Sequence, residues 1–86
     1  MVSEHSTKAA LASKVNVLLD EQRLSQNAAA QRLGMPQSKV SAIRNYKLHG
    51  ISLERLMQAL ISLNQRVEIV ITPGAPSPDR AIAVVM

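Results

Sequence analysis

Residues 24–45, LSQNAAAQRLGMPQSKVSAIRN, decide the fold of this 86-residue chain. Ser25 stands where a hydroxyl can accept a hydrogen bond from an unpaired amide in the first turn of a helix, so Gln26 to Leu33 read as a short helix with a cap. Gly34 ends it, because glycine takes the left-handed conformation past a helix terminus without a Cβ clash. Pro36 has a fixed φ suited to starting a helix, and Val40 and Ile43 lie three apart in the segment that follows. A second short helix is therefore expected over 37–45. Two short helices around a tight glycine turn, the second of them basic, meet the requirements of major-groove readout. An α-helix fits that groove, and polar side chains projecting from it reach base edges.

Upstream, from about Ser6 to Arg23, Leu11, Val15, Leu18 and Leu19 recur at the spacing of one apolar helical face. Downstream, residues 46–50 read as a loop. Ser52 caps a further helix to about Leu63, with Leu53, Leu56, Met57 and Leu60 on one face and Ile51 with Leu56 placed as a hydrophobic staple. Beyond Asn64 the period changes to two: Val67, Ile69 and Ile71 alternate with Glu68, Val70 and Thr72, which predicts a strand. Three prolines and a glycine within 73–79 make a linker or wide turn, and 81–86 is a second, shorter strand candidate.

Composition narrows the function. The chain has no Cys, Trp or Phe and a single aromatic residue, Tyr46, so its core must be aliphatic. Modules that stack bases on aromatic rings are disfavoured, and thiol chemistry and cysteine metal sites are excluded. The formal charge is +4, and residues 8–55 hold eight basic side chains against three acidic ones, so the whole positive surplus lies in the helical part. That balance favours a polyanionic partner. No apolar run approaches the ~20 residues of a membrane span, and the first eight residues are too polar for a secretory signal, so a cytoplasmic protein is expected.

The 24–45 segment resembles the helix-turn-helix of the lambda-repressor-like, or XRE, family. Gln26 opens the first helix, Ala30 is the small residue where the helices cross, Gly34 makes the turn, and Leu33, Val40 and Ile43 match buried positions. The resemblance implies base contacts from the start of the second helix, here Gln37 and Ser38, with Lys39 and Ser41 as further candidates. Gln pairs bidentately with adenine, Ser bonds either base type, and Lys reaches guanine. It also implies a phosphate contact from Gln26, while Arg44, Asn45 and Lys47, at the far end of the recognition helix, are expected to clamp phosphates. From Gln37 to Lys47 there are three basic residues and no acid. This chain departs from the pattern at Pro36, where many relatives carry a capping Ser or Thr. It departs again at Asn45 and Tyr46, where relatives carry Gly. Asn tolerates a left-handed φ, which makes that second change mild. The longer string, SLERLMQALISLNQRVEIVITP, resembles a compact XRE group whose last helix runs directly into a strand. Many of its members look like HigA-type antitoxins, which repress their own promoter as dimers and neutralise a RelE-like ribonuclease.

The expected fold is thus mainly α: a four- to five-helix, lambda-repressor-like DNA-binding domain over 8–64 behind a flexible terminus at 1–7. A C-terminal β-strand over 65–73 acts as a dimerisation element through Val67, Ile69 and Ile71, followed by a linker and tail over 74–86. The strand can pair with 81–86 or with its twin in a second chain, and the length of the proline linker favours the twin. The expected function is a homodimeric repressor on a palindromic double-stranded operator, and potentially the antitoxin of a toxin–antitoxin pair. The alternative is a protein-interaction module that binds a toxin and touches DNA only secondarily. His5 and His49 read as surface histidines, and Asp20 with Glu21 as solvated charges. No catalytic group, metal site or cofactor is expected.

Overall fold

The computed structural model of the protein describes residues 4–74. Four helices make up its architecture: α1 (Glu4–Glu21), α2 (Gln26–Leu33), α3 (Gln37–Arg44) and α4 (Leu53–Ser62). The architecture is mainly α, as expected, with no fifth helix among the described residues. α1 begins inside the stretch read as a flexible terminus, and α2 spans the residues that the sequence reading gave it.

Local chemistry fixes where the helices begin. The Ser25 hydroxyl accepts from the Ala28 amide at 3.1 Å, and the Ser52 hydroxyl accepts from the Arg55 amide at 3.0 Å. Each satisfies one of the amides that a helix start leaves orphaned. Pro36 precedes α3 with no side-chain cap, as its chemistry dictates.

All four helices end in one and the same way. Past each helix end an amide reaches back five positions to a carbonyl: Leu24 to Leu19 at 3.0 Å, Met35 to Ala30 at 3.1 Å, Lys47 to Ala42 at 2.8 Å and Gln65 to Leu60 at 3.0 Å. This Schellman closure requires a left-handed residue just before the donor. Arg23, Gly34, Tyr46 and Asn64 occupy those positions, with φ of 53°, 64°, 57° and 66°. Only Gly34 escapes the Cβ penalty of about 1–2 kcal/mol. The sequence reading gave the left-handed position after α3 to Asn45. The structure corrects this: α3 stops at Arg44, Asn45 is its cap at φ −101°, and the closure falls on Tyr46.

α1 packs on α4 and α3, and α2 packs on α3 and α4. Their shared core is wholly aliphatic, with Val15, Val40, Ile43, Leu48, Leu56 and Leu63 almost completely out of water. Ala29 and Ala30 are buried on α2, where small side chains let α3 approach closely. Ile51 and Leu56 are both buried, as the staple requires. Leu11, read as core, is half-buried at its edge.

The C-terminal strand is not formed. Residues 65–74 have neither helical nor strand structure. The alternation there is real, but a strand exists only when a neighbour completes its ladder of hydrogen bonds, and no described segment lies alongside. Val67 tucks half-buried against the core of its own chain, while Ile69, Val70 and Ile71 are 73%, 77% and 90% exposed. The other strand candidate, 81–86, and most of the proline-rich linker lie outside the described residues.

Candidate nucleic-acid interface

α3 buries Val40 and Ile43 in the core, and this anchorage turns its remaining side chains outward. Gln37, Ser38 and Lys39 are exposed and Ser41 is half-buried; past them Arg44, Asn45 and Lys47 are exposed as well. At the helix start, the Gln37 Nε2 donates to Oδ1 of Asn27 at 3.0 Å, a bridge between the first turns of α3 and α2. The glycine turn between the two helices is gripped from α4, because Nη2 of Arg55 donates to the Gly34 carbonyl at 3.2 Å.

The far end of α3 is bound far more heavily. Nη1 of Arg44 donates to the Asn16 backbone carbonyl at 3.1 Å and to its Oδ1 at 3.3 Å, and Nη2 pairs with Asp20 at 2.6 Å. Asn16, buried on α1, donates from Nδ2 to the Ile43 carbonyl at 3.0 Å. Hydrogen bonds to Asn16 first and to Ser13 second hold the Tyr46 phenol below the ordinary tyrosine range. Asn45 turns back on α3, donating to the Ser41 carbonyl at 2.9 Å.

A two-helix unit with a glycine turn, an outward polar face and an anchored end is the geometry of a helix-turn-helix. A family profile described as a helix-turn-helix domain matches residues 2–72. A solved structure described as an XRE family transcriptional regulator is similar to this chain at 55% identity and a TM-score of 0.86, over 96% of this chain and 94% of that one. The chain belongs to the XRE-type helix-turn-helix family. No protein of curated function matches it.

As an XRE-type DNA-binding domain, the protein carries its sequence-derived candidates in three groups. Gln37, Ser38, Lys39 and Ser41 sit together on the first two turns of α3, and Gln26 opens the neighbouring α2. Lys39 already uses its ammonium within the chain, donating to the Gly50 carbonyl at 3.2 Å. Arg44, Asn45 and Lys47 follow at the other end, where Arg44 is engaged by α1 and Lys47 is exposed. Val67, Ile69 and Ile71 stand apart from the recognition unit, and Val67 faces its own core rather than outward.

Sequence reasoning missed three residues of this XRE-type site. Asn27 braces Gln37, Arg55 holds the turn, and Asn16 locks the end of α3. Asn16 left a readable trace: it falls on the same apolar stripe of α1 as Ala12, Val15 and Leu19, and a polar group there needs partners. Asp20, read as a solvated charge, has Arg44 as its partner. His49 is exposed, and among the described residues no group of His, Cys, Asp or Glu side chains could hold a metal ion. Nor is any described helix long and apolar enough to cross a membrane.

Proposed function

We propose that this XRE-type protein is a sequence-specific, double-stranded-DNA-binding repressor of the cytoplasm that acts as a homodimer on a palindromic operator. α3 of each protomer enters one major groove, two adjacent grooves are covered, and a promoter is occluded. The observation that carries the reading is the outward polar start of α3, with Gln37 and Ser38 exposed on a helix whose opposite face is core. Gln37, Ser38, Lys39 and Ser41 contact bases. Gln26, Arg44, Asn45 and Lys47 contact phosphates, Arg44 doing so with a guanidinium already oriented by Asp20.

Two-fold operators need two-fold proteins, and the segment around Ile69 and Ile71 supplies the joint. Three consecutive exposed aliphatic residues on an unpaired backbone gain both ladder hydrogen bonds and burial by pairing with a second copy. The same exposed segment supports a second reading, in which it receives a partner protein such as a RelE-like toxin and the chain is a HigA-type antitoxin.

Fluorescence anisotropy with labelled duplex tests the DNA reading. Six to ten phosphate contacts displace condensed cations, so affinity falls by about 10³–10⁵ between 50 and 200 mM salt. A flat response contradicts duplex binding. Sedimentation of Ile69→Lys tests the joint: a dimer that becomes a folded monomer supports it, and a variant that stays dimeric refutes it. Recovery of a stoichiometric small basic protein with the native chain would favour the antitoxin reading.

A further inference from the structure

We propose that Asn45 is a positioning residue that makes the Ser41 hydroxyl a donor toward the bases and so selects against cytosine; the inference rests on the reading of α3 as the recognition helix. Nδ2 of Asn45 donates to the Ser41 carbonyl at 2.9 Å and, at a longer 3.4 Å, to the Ser41 hydroxyl oxygen. Ser38, Ser41 and Asn45 follow one another at steps of three and four, which puts them on one side of the helix, opposite the buried Val40 and Ile43. The pair therefore lies on the outward face of α3, with Ser41 half-buried and Asn45 exposed.

A serine hydroxyl by itself is ambivalent. Its proton turns about the C–O bond at little cost, so it donates to one base and accepts from another. Asn45 takes that freedom away. The shorter bond fixes the amide, and the fixed amide holds an N–H beside the Ser41 oxygen. An O–H turned toward that N–H would set two hydrogens against each other, so a lone pair faces Asn45 and the proton points elsewhere. Among the described residues no group takes that proton, which leaves it for a base. A donor finds an acceptor on guanine at N7 or O6, on adenine at N7 and on thymine at O4, whereas the cytosine edge offers only its N4 donor. The braced hydroxyl rejects cytosine where a free one accepts it.

The test begins with selection by the full chain from a randomised duplex library, followed by anisotropy on the tightest duplex recovered. Copies of that duplex with each base pair changed in turn, and a random duplex, complete the set. Ser41→Ala identifies the position read by Ser41 as the one whose discrimination collapses. Asn45→Ala should lower discrimination against cytosine at that same position by about threefold, within the worth of one neutral hydrogen bond, on top of any weakening common to all duplexes. Asn45→Asp replaces the donor by an acceptor: the carboxylate draws the Ser41 proton to itself, the hydroxyl presents its lone pairs, and the preference should reverse toward cytosine. The added charge weakens every duplex alike and leaves that reversal visible. In the Ser41→Ala background neither Asn45 substitution should alter discrimination at this position. Circular dichroism confirms that the substitutions leave the fold intact.

If Ser41→Ala collapses discrimination and neither Asn45 variant changes it, the positioning role is overturned while the recognition helix stands. Equal weakening of all duplexes by Asn45→Ala, with no reversal in Asn45→Asp, also overturns it and makes Asn45 a phosphate contact alone. If Ser41→Ala leaves every position unchanged while Gln37→Ala does not, Ser41 reads no base and the inference fails. If Gln37→Ala also leaves every position unchanged, the reading of α3 fails and the inference falls with it.

Discussion

The two ends of α3 are held by different chemistry. At its start, two exposed side-chain hydrogen bonds, Gln37 to Asn27 and Lys39 to the Gly50 carbonyl, touch the rest of the protein, and Ser38 between them is exposed. At its end, Asn16 and Asp20 of α1 engage the Ile43 carbonyl and the Arg44 guanidinium. One end is presented and the other is fastened. A helix that must enter a groove benefits from both, because a fixed axis removes the entropic cost of orienting it while polar tips stay free to pair with bases.

The sharpest way to break this contrast is at the fastened end. Asn16→Ala removes the Nδ2 donor from the Ile43 carbonyl, which keeps the Tyr46 amide, and the Oδ1 acceptor from Arg44, which keeps the Asn16 backbone carbonyl. A loss of about 1–2 kcal/mol in folding stability is expected, read as a lowered melting temperature. Substituting Gln37, at the presented end, should leave the melting temperature within error of the parent.

A smaller effect is expected where the fastening is solvent-exposed. The Arg44–Asp20 pair is short at 2.6 Å, but its side chains are 37% and 67% exposed, so water and salt screen most of its worth. Asp20→Asn should therefore cost less than about 1 kcal/mol of stability. It also removes a negative charge beside a cation proposed to meet phosphate, so affinity for random duplex at low salt should rise slightly. A large fall in stability would show that the pair is more than a surface contact.

The same contrast runs through what the sequence could reveal. Ser25, Gly34 and the Val40–Ile43 spacing act within a turn or two of their own position, and the caps, the turn and the buried face follow from them directly. Gln37 and Ser38 were legible as candidates through the family resemblance, which implies base contacts from the start of the helix after the glycine turn. Asn27 and Asp20 were not, since their partners lie ten and twenty-four residues away and become neighbours only once the helices pack. The error at Asn45 has a similar cause. Its residue type suits a left-handed φ, but the closing bond from Lys47 to Ala42 places that conformation one residue later, on Tyr46. The alternation over 67–72 describes a strand that one chain by itself cannot complete.

Base reading by the presented end is the central claim, and paired substitutions test it most directly. Specific and random duplexes are titrated against Gln37→Ala and Lys47→Ala under one salt series. Gln37→Ala should lose about 1–3 kcal/mol per half-site on the specific duplex and almost nothing on random DNA, collapsing the ratio between them. Lys47→Ala should weaken both alike and lower the salt slope by about one per protomer. If both variants weaken specific and random DNA by the same factor, α3 does not read sequence, and the account is contradicted.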